Sequence, residues 1–131
     1  MLVDSDVMIW LTRGHPGAAM RLKKIGTWRI SAITYMELAQ GCRDTPELHR
    51  LKKALGTSSK TIAPVTEKIC ERAMLVIDRH ALGDGLRLAD ALIAATALEH
   101  DLPLLTANIK HFGPIKDLNV EWFDRSQEAT S

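Results

Sequence analysis

The sequence predicts one α/β domain, a three-layer α/β/α sandwich on a mostly parallel sheet of about five strands. Three observations carry that expectation. Short apolar runs alternate with stretches of helical periodicity along the whole chain, as a parallel sheet covered on both faces requires. The 131 residues are 46% hydrophobic and 25% charged, the balance of one ordinary globular domain. No apolar run reaches the ~20 residues that span a bilayer, so no membrane partner is expected.

The elements follow in order. Met1–Asp4 reads as a buried strand, and Val7, Ile9, Trp10 and Leu11 mark a helix that Gly14-His15-Pro16-Gly17 breaks. Ala18, Leu22 and Ile25 carry a second helix to Gly26, and Trp28–Ile33 is the second strand. Thr34 opens a helix reaching about Gly41, and another starts near Pro46 and ends at Gly56. Thr61–Pro64 is a short third strand. Thr66–His80 is an amphipathic helix with Ile69, Ala73, Val76 and Ile77 on one side, followed by a Gly83-Asp84-Gly85 loop. Leu86–His100 is helical, Pro103–Leu105 is a fourth strand and Val120–Trp122 a fifth. The domain is expected over 1–124, with a polar tail that frays over 125–131.

The net charge of +1 hides an asymmetry: residues 1–65 hold ten Lys/Arg and five Asp/Glu, residues 66–131 seven and eleven. Arg21, Lys23 and Lys24, and Arg50, Lys52 and Lys53, form two basic clusters. They can attract phosphate backbones, and they equally suit the solvated faces of two helices. Cys42 and Cys70 have no metal-ligand spacing and read as reduced, partly buried thiols of a cytoplasmic protein. The amino terminus lacks the basic and apolar segments of a signal peptide.

In a parallel sheet, ligands bind beyond the carboxyl ends of the strands, and several polar residues fall there. Asp4 closes the first strand, where it serves equally well to cap a helix. Asp6, inside the first helical turn, suits the helix dipole. Glu37 fits a capping box with Thr34, flanked by an Ile33–Leu38 staple; a carboxylate there can still turn toward a strand end. Asp90 is the sharpest signal. It is the one charge in Leu88–Leu98, which is apolar around nearly its whole circumference. A carboxylate buried there needs a cation, hydrogen-bond donors or a proton, unless it partners the dipole at the helix start. Thr106 and Asn108 follow the fourth strand, where they can bind phosphate or make an ordinary turn; His111 alone suits a surface loop. Carboxylates without a His/Cys set favour Mg²⁺ or Mn²⁺ over zinc. Beside a basic half, that chemistry suits hydrolysis of nucleic-acid phosphodiesters, although phosphatases use similar parts.

Four blocks in order, Leu2-Val3-Asp4-Ser5-Asp6-Val7, Ser31-x-Ile33-Thr34-x-x-Glu37-Leu38, Ala89–Ala97 and Leu105-Thr106-x-Asn108-x-x-His111-Phe112, resemble the PIN domain, most closely the VapC-type toxins of toxin–antitoxin pairs. The resemblance spans residues 2 to about 123. It implies a PIN-like sandwich and a Mg²⁺- or Mn²⁺-dependent endoribonuclease that leaves 5′-phosphate and 3′-hydroxyl ends. It makes Asp4, Glu37 and Asp90 both metal ligands and catalytic residues, with Asn108 as a fourth catalytic position. Ser5 and Thr106 become candidates for positioning substrate. RNA, a VapB-type antitoxin and a second copy of the chain are the implied partners. Many members place a further acid in the Thr106–Phe112 region, where this chain has Asn108 and His111. One protein-held ion is therefore expected, with a second weak or arriving with RNA.

Two other classes compete. A receiver domain needs a phosphoacceptor Asp ending the third strand, and Thr61–Pro64 ends without one. A non-catalytic PIN-like binding module has no need of Asp4, Glu37 and Asp90 together.

Overall fold

A computed structural model describes residues 1–56 and 61–126, and among them the chain forms five strands and seven helices. In order these are β1 (Leu2–Val3), α1 (Ser5–Thr12), α2 (Pro16–Ile25), β2 (Ile30–Ser31), α3 (Ala32–Gln40) and α4 (Thr45–Leu55). They continue with β3 (Ile62–Ala63), α5 (Glu67–Asp84), α6 (Leu88–Glu99), β4 (Leu104–Thr106), α7 (Ile109–Phe112) and β5 (Val120–Trp122). The ladders run β1-β4-β5 and β2-β3, every pair parallel. A parallel bridge between Leu2 and Arg29 joins them, with Val3 N–H donating to Arg29 O at 2.8 Å. β1 thus lies at the centre and sends its carboxyl end out beside those of β4 and β2.

Alternation along the strands divides the core in two. Leu2 and Leu104 face a cluster with Ile69, Ala73, Ala91, Ala94 and Phe112, which seats α5, α6 and α7. Val3 and Leu105 face the other way, toward Val7, Ala18, Leu22, Ile30 and Leu51, which seats α1 to α4. Each fully buried Leu or Ile contributes about 1.5–3 kcal/mol, so both layers are firmly held. The α/β/α sandwich expected from the sequence is what forms. The buried run Ala91, Ile93, Ala94, Ala95, Thr96 and Ala97 explains why α6 shows so little polar pattern: it lies within the core.

Several local expectations change. The second strand is only Ile30–Ser31, because Ser31 adopts extended backbone and its hydroxyl accepts from Ile33 N–H, which puts the N-cap of α3 three residues before Thr34. Thr34 is therefore a buried helical residue, and no Thr34–Glu37 capping box exists. α5 runs on through Gly83 and Asp84 to Gly85, whose φ of 69° gives the left-handed turn that ends it. The fourth strand is shifted to Leu104–Thr106, and a short α7 follows it. Cys42 is half-buried as expected, but Cys70 is exposed. Lys23, Lys24, Lys52 and Lys53 occupy the last turns of α2 and α4, where cations complement the helix dipole. Of the expected tail, residues 127–131 lie outside the described residues.

Candidate active site

The chain leaves β1 at Asp4 and turns at once into α1, so Asp4 is both the end of a strand and an N-cap. Its Oδ1 accepts from Ser5 N–H at 2.8 Å, and its Oδ2 accepts from the Thr106 hydroxyl at 2.7 Å. Thr106 ends β4, the strand paired to β1, and parallel register brings the two together although 102 residues separate them. Asp4 is almost fully buried.

Asp6 is the residue that the sequence reading undervalued. Its Oδ1 accepts from Val7 N–H at 2.7 Å, the helix-start role expected of it. Its Oδ2, however, accepts from Ala107 N–H at 3.1 Å and lies 3.5 Å from the Thr106 hydroxyl. It therefore ties α1 to the segment after β4 and stands beside Asp4. The Asp-x-Asp spacing at a strand end was the signal that could have found it. Burial pushes the Asp4 carboxyl well above the usual carboxylate range, and the Asp6 charge adds to that, against hydrogen bonds from Thr106 and Ser5. Burial also raises Asp6. Two neighbouring acids held from water are a site short of positive charge.

Glu37, in the middle of α3, is tied to Ser5, whose backbone N–H donates to Asp4. The Ser5 hydroxyl donates to Glu37 Oε1 at 2.7 Å and lies 2.9 Å from the Thr34 hydroxyl. With the capping box gone, Glu37 is left facing Ser5. Ser5 and Thr106 thus both belong to the site, each holding a carboxylate.

Asp90 stands at the third position of α6, accepting from the Arg87 N–H at 3.3 Å, so it does serve the helix start. Its Oδ2 is also 3.7 Å from His111 Nδ1, and the Asn108 amide nitrogen lies 2.9 Å from that same Nδ1. Asn108 N–H in turn donates to the Thr106 hydroxyl at 2.9 Å. A chain of contacts therefore runs from Asp90 through His111, Asn108 and Thr106 to Asp4. His111, read alone as a loop histidine, is half-buried between Asn108 and Asp90.

Asp4, Asp6, Glu37 and Asp90 give an all-oxygen donor set suited to a hard divalent cation. Among the described residues, no three His, Cys, Asp or Glu side chains stand close enough to grip one ion together. Asp4 accepts from the Thr106 hydroxyl and Glu37 from the Ser5 hydroxyl, and Asp90 lies 3.7 Å from His111 Nδ1. A cavity of about 470 Å³ lies apart from all four acids, between α5, the end of α6 and the segment after α7.

Comparison with known proteins agrees with this geometry. The PIN domain pattern matches residues 1–113. Ribonuclease VapC10 of Mycobacterium tuberculosis is 37% identical over 122 residues, covering 90% of each chain. A chain from a toxin–antitoxin complex of Klebsiella pneumoniae superposes with a TM-score of 0.75 at 32% identity, covering 89% of this chain and 93% of that one. FitAcB of Neisseria gonorrhoeae gives 0.73 at 26% identity, covering 96% and 98%. The strand-end acids, the parallel sheet and these likenesses agree: the chain belongs to the PIN-domain family, within its VapC group.

Proposed function

We propose that the protein is a Mg²⁺- or Mn²⁺-dependent endoribonuclease, the toxin of a VapBC-type pair. The observation that carries this reading is the convergence of Asp4, Asp6, Glu37 and Asp90 on one carboxyl edge, with buried Asp4 beside half-buried Asp6 on the Thr106 hydroxyl. The likeness to a chain solved in a toxin–antitoxin complex supports a VapB-type antitoxin as partner. The name of the VapC10 relative supports RNA as substrate. No helix among the described residues is long and apolar enough to cross a membrane. We place the protein in the cytoplasm with its RNA, as a homodimer.

Asp4, Glu37 and Asp90 would hold the cation, and Asp6 adds a fourth carboxylate in place of an acid in the Thr106–Phe112 region. When bound, the ion lowers the pKa of a coordinated water and neutralises charge on the phosphodiester. The chain does the rest. Thr106 and Ser5 orient Asp4 and Glu37 by donating to one oxygen of each, which leaves their remaining lone pairs for the site. Asn108 and His111 lie between Asp90 at the start of α6 and Thr106 at the end of β4. Water attacks phosphorus in line, and the P–O3′ bond breaks to leave a 5′-phosphate and a 3′-hydroxyl.

The test is cleavage of RNA by the purified protein, with end chemistry read by 5′-phosphate-dependent ligation and sequencing. Cleavage should require Mg²⁺ or Mn²⁺ and stop with EDTA. Asp90→Asn should lower it more than about 100-fold, since even outer-shell changes commonly reach that size. Metal-independent cleavage, or 5′-hydroxyl ends, would refute the reading.

A further inference from the structure

We propose that the guanidinium groups of Arg13 and Arg125, held over the Trp10 ring, bind phosphates of the RNA strand to one side of the scissile bond. The inference rests on the ribonuclease reading above and adds a strand-binding subsite to it. α1 has eight residues, so it is ~12 Å long. Asp4 caps its start and Arg13 its end, so the helix leads directly from the buried acids to this arginine. β5 delivers the second arginine to the same region. Phe123 N–H donates to Thr106 O at 2.8 Å, so the chain leaves β5 beside the residue that holds Asp4.

The anchor beneath these arginines is built. The His15 ring packs edge-on against Trp10 at 5.4 Å and Phe123 at 5.8 Å, and its Nε2 lies 3.1 Å from Arg125 O. Arg125 Cζ stands 5.0 Å from the Trp10 centroid, and Arg13 Cζ stands 5.9 Å from it. Both side chains are exposed, and neither forms an ion pair among the described residues. Arg21, Arg43 and Arg72, by contrast, are matched by Glu121, Glu47 and Glu99. Two planar cations without an ion pair among the described residues therefore share one indole, Arg13 from the end of α1 and Arg125 from the segment after β5.

That chemistry suits a single strand. Guanidinium forks pair bidentately with phosphate, and weak hydration lets them do so at a partly apolar surface. Aromatic and guanidinium planes are also where unstacked bases rest. Four carboxylates repel a polyanion, so a strand held over them needs cations alongside, and these two stand on Trp10 of the helix that Asp4 caps.

The test is steady-state cleavage of a single-stranded RNA by the full chain over a KCl series at constant Mn²⁺. Arg13→Gln with Arg125→Gln should raise KM about tenfold while sparing kcat, and lower the slope of log(kcat/KM) against log salt by about 1.4, two single-strand phosphates' worth. Arg13→Lys with Arg125→Lys should keep the slope, because the charges remain. An unchanged KM and slope in the Gln pair would overturn the proposal. So would a Lys pair whose salt slope falls as far as that of the Gln pair, because the slope would then not report the two charges on phosphate. A wild-type chain that cleaves no RNA would instead overturn the ribonuclease reading on which the subsite rests.

Discussion

Asp4 and Asp6 share one good donor between them: the Thr106 hydroxyl is 2.7 Å from Asp4 and 3.5 Å from Asp6, and it has a single proton to give. Folding places both acids where burial disfavours their charge. The folded pKa is raised above the unfolded one, so the stability associated with the protonated form is fully present below the ordinary carboxylate range, near 3.9, and is lost as pH rises through the raised value. Asp4→Asn should therefore raise the Tm of the metal-free protein at pH 8, by about 2–6 °C. That gain over the wild type should shrink as both are titrated toward pH 4, while RNA cleavage is lost at every pH. A difference in Tm that does not change with pH would count against this account. Asp4 and Asp90 stood out in the sequence because one ends a strand and the other breaks an apolar pattern, whereas Glu37 read as a capping residue and was singled out by the family resemblance. Asp6 and His111 did not stand out, because what gives them a role is contact with Ala107 and Asp90, across 101 and 21 residues of chain.

Among the elements, the start of α3 and the whole of α7 were misread for one reason: short segments are governed by neighbours more than by their own pattern. Ser31 and Thr34 are both good N-caps, and Ser31 takes the role because β2 already holds it in extended backbone. α7 has only four residues, too few to show periodicity, and it is seated by Phe112, which is wholly buried. Gly113 closes it. A Cβ at that position would stand 2.7 Å from Ile109 O, a backbone atom that cannot swing aside. Gly113→Ala should cost about 1–3 kcal/mol in stability, as other overpacked sites do. Because α7 carries His111 and follows Asn108, the variant should also lose cleavage at temperatures where it remains folded. Full activity with unchanged urea unfolding would show that α7 does not depend on this contact.

At the scale of the molecule, the alternation of apolar runs and helices was enough to read the sandwich, its five strands and the edge on which the acids lie. Which strand neighbours which was not readable, since parallel pairing depends on crossovers that leave no local mark. On the metal-dependent reading proposed above, the edge is assembled only when folded, so a divalent ion should stabilise the whole domain. At one hundred times the dissociation constant the gain is about 2.7 kcal/mol. Mn²⁺ should raise the Tm of the wild type, and an Asp4→Asn, Asp6→Asn double variant should show no such rise. Equal rises in both proteins would place the ion elsewhere.

The bond between Thr106 and Asp4 spans most of the chain. β1 emerges from the ribosome first, yet its site-forming neighbour β4 follows only after both long helices have been made. Asp4, Glu37 and Asp90 are thus all synthesised before the strand that aligns them. A partly made chain carries every expected metal ligand and still lacks the edge that would let them act together. The proposed cleavage therefore waits on the synthesis of β4.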